Sequence, residues 1–171
     1  MNEMNSHFAL VDGEIEVRLS STELAFLSDL LEVLAGLGSE SDDPGAARLS
    51  PPVYLDDPEA EKEWRRLSVS ELEASRRADR AAFESVITTM TRDGRDADGE
   101  TVSIATITRT EADALIRVVN EVRLVLGSRW GIDTAEDYDD LRPEAADVLS
   151  FLGWLVSEMA AVLEEALDIQ Q

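Results

Sequence analysis

Asn120, Arg123 and Gly127 stand at three- and four-residue spacing in the stretch TRTEADALIRVVNEVRLVLGSRW, Thr108 to Trp130. On a helix that spacing gathers them into one stripe. An arginine beside an asparagine offers several N–H donors and one amide acceptor. That chemistry suits two tasks. One is to fasten a neighbouring loop or helix end by hydrogen bonds; the other is to recognise an anion or a protein partner. Both readings stay open here. On the first, Arg123 is expected to be mostly buried, with backbone oxygens as its acceptors. A glycine inside a helix costs about 1 kcal/mol relative to alanine, so Gly127 is expected where another backbone comes close. Leu124 points roughly opposite the main apolar face, where a simple surface helix would carry a charge. Trp64, Trp130 and Trp154 read as core anchors. Asn120, Arg123, Leu124, Gly127 and Trp154 are the candidate interaction or structural residues.

Other chemistries are narrowed by composition. The chain has 37 acidic and 15 basic residues, a formal net charge of -22. Such a field repels phosphate backbones and favours solubility or a basic partner. With no cysteine, thiolate nucleophiles, disulfides and zinc–thiolate sites are excluded. The single histidine, His7, lies near the start and is expected in a frayed segment. Asp133, Asp137, Asp139 and Glu144 have something of a calcium loop's spacing. However, Ala135 occupies a required oxygen position and Tyr138 replaces the turn glycine, so a solvated linker is the expected reading. The DADG run at 96–99 fails likewise, with Gly94 where the first acidic ligand belongs. Arg76, Arg77 and Arg80 lie close to Glu73, Asp79 and Glu84 and read as ordinary surface pairs; a docking site for an acidic peptide is the alternative. No nucleotide loop, nucleophile elbow or helix-turn-helix is found. No catalytic, metal-ligating or cofactor-binding residue is assigned.

The elements that must position these residues follow from periodicity. Residues 108–130 carry Leu115, Val118, Val119, Val122, Val125 and Leu126 on one broad face and read as a central helix wanted on nearly every side. The expected fold is mainly α: a helical bundle around that helix, with a small N-terminal β-hairpin or sheet, in a single domain spanning 1–171. Phe8–Val11, Asp12-Gly13 and Glu14–Leu19 read as the hairpin. Ser20 and Glu23 have capping-box spacing, and Thr108 and Glu111 repeat it. Two strand-then-helix units therefore point to a duplication, with the strands pairing in one sheet. Leu24, Leu27, Leu30, Leu31 and Leu34 make the first helix's core face, which Gly36 or Gly38 ends. Residues 39–57 read as loop, pinned to the core by Leu49, Val53, Tyr54 and Leu55. A short helix from Pro58 to about Leu67 and a second from Ser68 to about Met90 follow; the second turns Leu72, Ala78, Ala82, Phe83, Val86, Ile87 and Met90 inward. Residues 1–6 and 91–100 are expected to be flexible. Pro143 opens a last helix to about Asp168, read as a buried helix rather than a membrane span.

A resemblance rests on Asn120-Glu-Val-Arg123-Leu124-Val-Leu126-Gly127. It is similar to the N-x-x-R-L-x-L-G signature of an actinobacterial family of unknown function whose genes commonly lie beside that of the ClpS proteolytic adaptor. Phe151-Leu-Gly-Trp154-Leu155-Val-Ser-Glu158 resembles that family's last helix. Arg48-Leu49 through Tyr54, then Asp56-Asp57-Pro58, resemble its loop. The resemblance implies no agreed enzymatic activity; some members are labelled transcriptional regulators. The expected function is a non-enzymatic, cytoplasmic protein-interaction or regulatory protein, linked to stress response or regulated proteolysis. Its expected partner is another protein, with a homodimer as a further expectation and no membrane or direct nucleic-acid contact. A transcription regulator contacting DNA would need a basic stripe. A hydrolase built on carboxylates and a divalent metal would need acidic side chains converging in one pocket.

Overall fold

The computed structural model describes residues 7–37, 42–95 and 101–168. Asp12 and Gly13 adopt φ of 52° and 86°. This is the double left-handed turn that an Asp-Gly hairpin favours. It joins β1 (Phe8–Val11) to β2 (Glu14–Ser20), which pair antiparallel. Ile15, Val17 and Leu19 turn to the core while Glu14, Glu16 and Arg18 do not, as the two-residue period requires. β2 pairs antiparallel with β4 (Thr101–Ile107), and β4 pairs with β3 (Thr91–Arg95), giving the order β1-β2-β4-β3. Residues 91–95, read from the sequence as part of a polar, glycine-rich loop over 91–100, are thus an edge strand. The open edge of β4 takes a strand through backbone hydrogen bonds, which need no apolar side chains; a register irregularity lies between Thr91 and Gly94. Residues 1–6 and 96–100, including the DADG run, and Gly38 lie outside the described residues.

The duplication extends beyond the strands. α1 (Ser21–Leu34) and α4 (Arg109–Arg129) each begin with a complete capping box, from Ser20 with Glu23 and from Thr108 with Glu111. Thr108 follows Ser20 by 88 residues, and the strand pair Val17 and Ala105 has the same offset. At that one pair equivalent residues face each other, as they do where a local twofold axis passes between antiparallel strands. Buried Leu27, Leu30 and Leu34 of α1 match buried Leu115, Val118 and Val122 of α4 at that offset. Each unit then continues with a short helix, α2 (Pro44–Leu49) or α5 (Ala135–Asp139), and a long one, α3 (Pro58–Thr89) or α6 (Pro143–Asp168).

The two halves differ in how they pack. α4 packs against α1, α2, α3 and α6. Val118, Val119, Val122 and Val125 are fully enclosed. The hub reading holds, with one exception to enclosure: Arg117, Asn120 and Leu124 form an exposed stripe. α4 ends at Arg129, two residues beyond Gly127. The Ile132 N–H donates to the Gly127 carbonyl at 2.9 Å and the Gly131 N–H to the Ser128 carbonyl at 3.2 Å. Gly131 takes φ of 76°, so it is Gly131, not Gly127, that closes the helix in this Schellman arrangement.

Three further expectations are corrected. α2 lies inside the expected loop: Asp43-Pro44 starts it as Asp57-Pro58 starts α3, with the Asp43 carboxylate accepting from the Gly45 N–H at 2.7 Å. Val53, Tyr54 and Leu55 are exposed rather than seated on the core; that loop is held instead by Glu61, which accepts the Val53 and Tyr54 N–H groups. The two helices expected over 58–90 are one. No glycine or proline interrupts Glu59 to Thr89, and helix propagation is cheap once nucleated. Only Phe83 and Val86 of α3 are buried; Leu72 and Ala78 are exposed. α6 is long and apolar enough to cross a membrane by composition. Here Leu149, Leu152, Leu155, Met159, Val162 and Leu163 are packed in the core.

One pH effect follows from the caps. The Thr108 amide and hydroxyl hold the Glu111 carboxyl below the usual carboxylate range. A carboxyl whose pKa is depressed on folding contributes stability above its unfolded pKa, lost as pH falls through the folded one. Glu111→Gln keeps the capping geometry and removes the charge from the helix start. It is expected to cost roughly 0.3–1 kcal/mol at neutral pH and low salt. The difference from wild type should vanish as acidification protonates Glu111. Urea titrations at several pH values check it; a pH-independent difference would contradict a charge effect.

Candidate functional site

The exposed stripe of α4 opens onto a cavity of about 250 Å³. α4 supplies Asn120, Arg123, Leu124, Gly127 and Ser128 to its wall. Arg48 comes from α2, Tyr138 from α5, Leu149 from α6, and Ile132 from the turn after α4. The cavity therefore sits where both short helices meet the hub.

Each wall element is held by local chemistry. α2 lies against α4 because Gly45 has no side chain: a Cβ there would come within 2.7 Å of Val125 Cγ1 and 3.1 Å of Val125 Cα. This seats Arg48, which is exposed, at the cavity. Asp43 at the start of α2 also accepts from Arg129 Nε at 3.0 Å. α5 begins at Thr134, whose amide and hydroxyl, with the Asp133 amide, donate to Asp137. These bonds, the Thr134 amide first, hold the Asp137 carboxyl below the usual range. Asp137 is thus the reciprocal partner of Thr134 in a capping box, with its carboxylate turned to its own backbone. The Tyr138 hydroxyl donates to the Ala146 carbonyl at 3.1 Å and lies 2.7 Å from the Ser150 hydroxyl, which ties α5 to α6.

Arg123 departs from expectation. It is half-buried, and its Nη1 donates to the Asn120 side-chain oxygen at 3.1 Å rather than to backbone carbonyls. Its Nε–H is buried without a partner among the described residues. The guanidinium lies flat on α6 at Gly153, where a Cβ would be 3.2 Å from Nη2, 3.5 Å from Cζ and 3.7 Å from Nε. Close approach is thus made at Gly153 and Gly45. At Gly127, by contrast, a Cβ would meet only Ile132 Cδ1, at 4.0 Å. The sequence signal for Gly153 was a mid-helix glycine in an apolar run, the same cue that drew attention to Gly127.

Four of the five candidate residues therefore line one cavity. Trp154 does not. It is 39% exposed on α6 rather than a core anchor, with its ring edge-on to His7 at 4.6 Å. Trp64 and Trp130 are half-buried. His7 is not loose: its Nε2 lies 2.7 Å from Glu23 Oε1.

The arginine cluster of α3 is also used differently. Arg76 and Arg80 both clasp the Glu121 carboxylate on α4, each at 3.0 Å. Arg76 further donates to the Leu49 carbonyl and the Ser50 hydroxyl at the end of α2. Asp79 pairs with Arg117 at 2.8 Å. These are ties between helices rather than surface pairs within α3. They neutralise Arg76 and Arg80, two of the three arginines in that cluster. Among the described residues no group of three or more acidic or histidine side chains is placed to hold a metal ion.

No curated protein and no solved structure matches the chain. A family match covers residues 5–163 and so includes every wall of the cavity. It is to the family described as Domain of unknown function (DUF2017), and the chain belongs to that family.

Proposed function

We propose that this chain is a non-enzymatic, cytoplasmic interaction protein that receives another protein on the exposed stripe of α4. One observation carries the reading. The cavity at that stripe combines a 42% exposed leucine, Leu124, with Arg48 and Arg123, and offers neither a carboxylate nor a histidine as acid or base. Exposed apolar surface rimmed by arginine has the makeup of a recognition site. General acid–base chemistry needs a titratable group within hydrogen-bond reach of the substrate, which this wall lacks apart from the tyrosine already bonded to α6. A regulatory role in stress response or proteolysis extends the reading on the strength of the family resemblance alone.

Leu124→Asp tests it. The substitution puts a charge at the centre of the stripe but leaves the core untouched, so the change in stability is expected within about 0.5 kcal/mol. Captures from native lysate with wild type and variant as bait, at physiological salt, should differ: a partner held by wild type is lost by Leu124→Asp. Identical captures from both baits would refute docking at this stripe.

A further inference from the structure

We propose that the α4 cavity takes the C-terminal residue of a partner polypeptide, its free α-carboxylate on Arg48 and Arg123 and its apolar side chain on Leu124, Ile132 and Leu149. The proposal rests on the protein-docking reading above and names the part of the partner that is recognised.

Charge is the first argument. Acidic residues outnumber basic ones 37 to 15 in the chain, yet the cavity wall contains two arginines and no carboxylate. Seven arginines have a carboxylate partner: Arg18, Arg65, Arg66, Arg76, Arg80, Arg117 and Arg129. Arg48 and Arg123 have none among the described residues; nor do Arg77, Arg109 and Arg142, but Arg48 and Arg123 share a cavity wall that holds no carboxylate. The neighbouring cavity on α3 is lined by three arginines, but Glu73 is in its wall and Glu121 already engages Arg76 and Arg80. Two uncompensated guanidinium groups at one opening, in a protein of this charge, are a site for an anion from outside. Among the described residues the Arg123 guanidinium makes one hydrogen bond, from Nη1 to Asn120, and its Nε–H is buried without an acceptor, so the group has donors to spare.

The apolar wall decides which anion. An inorganic ion would leave Leu124, Ile132 and Leu149 uncovered, and would gain nothing from them. An Asp or Glu side chain within a peptide would bring a carboxylate without an apolar group on the same residue. Within a polypeptide, only the last residue carries a carboxylate and a hydrophobic side chain on one Cα; a free or N-acylated amino acid shares that chemistry, and the probes below separate the two sources. Size agrees. A space of about 250 Å³ is below the roughly 300–1,000 Å³ typical of cofactor and drug-sized ligand pockets. It suits one residue. Capture of a terminal carboxylate is also an established mode of peptide recognition.

The experiment titrates the isotope-labelled full chain with three probes and follows its amide and arginine Nε–H resonances. The probes are the peptide Gly-Ser-Gly-Ser-Ala-Leu with a free C-terminus, the same peptide as its C-terminal amide, and N-acetyl-leucine. The acid peptide is expected to move the signals of Arg123, Leu124 and Ser128. The amide should bind about tenfold more weakly or worse, and Arg48→Gln, on the exposed face of α2, should weaken the acid peptide to a similar degree. N-acetyl-leucine should bind more weakly than the peptide, because the preceding residues add contacts on the stripe. Equal binding of acid and amide, or no shift with either at millimolar concentration, overturns the proposal. N-acetyl-leucine binding as well as the peptide overturns it in favour of a small amphipathic carboxylate. The lysate comparison with Leu124→Asp is separate: a partner lost there while these peptides fail would refute terminal-carboxylate capture and leave protein docking standing.

Discussion

Gly45→Ala is expected to lower the stability of the protein by about 1–3 kcal/mol, the usual range for overpacking a fitted contact. At this chain length each kcal/mol corresponds to a Tm fall of about 2–4 °C. The sign is informative. Helix propensity alone would make alanine better than glycine by up to about 1 kcal/mol, so a rise in Tm would show that α2 does not lie against α4 as described. The steric term dominates because the obstacle is not only a side chain. The new Cβ would meet Val125 Cγ1 at 2.7 Å and Asp43 Oδ1 at 2.9 Å, with Val125 Cα behind them at 3.1 Å. Valine is stiff at χ1 and its Cα belongs to the hub helix, so α2 has to withdraw. That movement would strain the bond between Asp43 and Arg129 and carry Arg48 away from the cavity. Val125→Ala in the same molecule removes one of the obstructing groups. The double mutant should therefore be more stable than the two single losses would give by addition. Thermal melts of the four proteins measure this.

Glu121→Ala should cost about 2 kcal/mol. Removing one partner of a fully buried ion pair costs about 3–5 kcal/mol because a charge is left uncompensated. Here the carboxylate side chain is 13% exposed but Arg76 and Arg80 are 27% and 22% exposed, so water recovers part of the loss. Two guanidinium groups would then face each other without the anion between them. The tie from α3 to α4 would go, and with it one reason Arg76 is aimed at the end of α2. The comparison is Glu63→Ala. Glu63 pairs with Arg66 at 2.7 Å, but both side chains are more than half exposed, and water and salt screen a pair of that kind, so its loss should be clearly the smaller. Urea denaturation of both variants separates the cases. Equal losses would mean that the Glu121 clamp behaves as an ordinary surface pair.

Much of the fold was legible because it is set within a few residues. The two capping boxes close bonds over three residues, and the Asp12-Gly13 hairpin over two. The buried faces of α1 and α4 follow the helical period: the expected Leu27, Leu30 and Leu34, and Leu115, Val118, Val119, Val122 and Val125, are all enclosed. Two helix boundaries are ambiguous locally. Asp43-Pro44 starts a helix by the chemistry seen at Asp57-Pro58, but six residues are too few to show a period. Ser68 and Glu71 have capping spacing, yet nothing there stops the helix already running from Pro58.

Short-range pattern was enough for the mainly helical class, the hub at 108–130, the repeated strand–cap–helix grammar and the stripe in which Asn120, Arg123, Leu124 and Gly127 stand. What surrounds that stripe became visible only once the helices were packed together. Glu121 is one of 37 acidic residues, and no local rule selects it as the partner of Arg76 and Arg80. A helical glycine announces that something needs the space without saying what. Packing assigns Gly45 to a valine, Gly153 to a guanidinium, and leaves Gly127 beside an open cavity. Those are contacts between residues far apart in the chain, determined by how whole helices pack, and a short-range pattern carries no record of them.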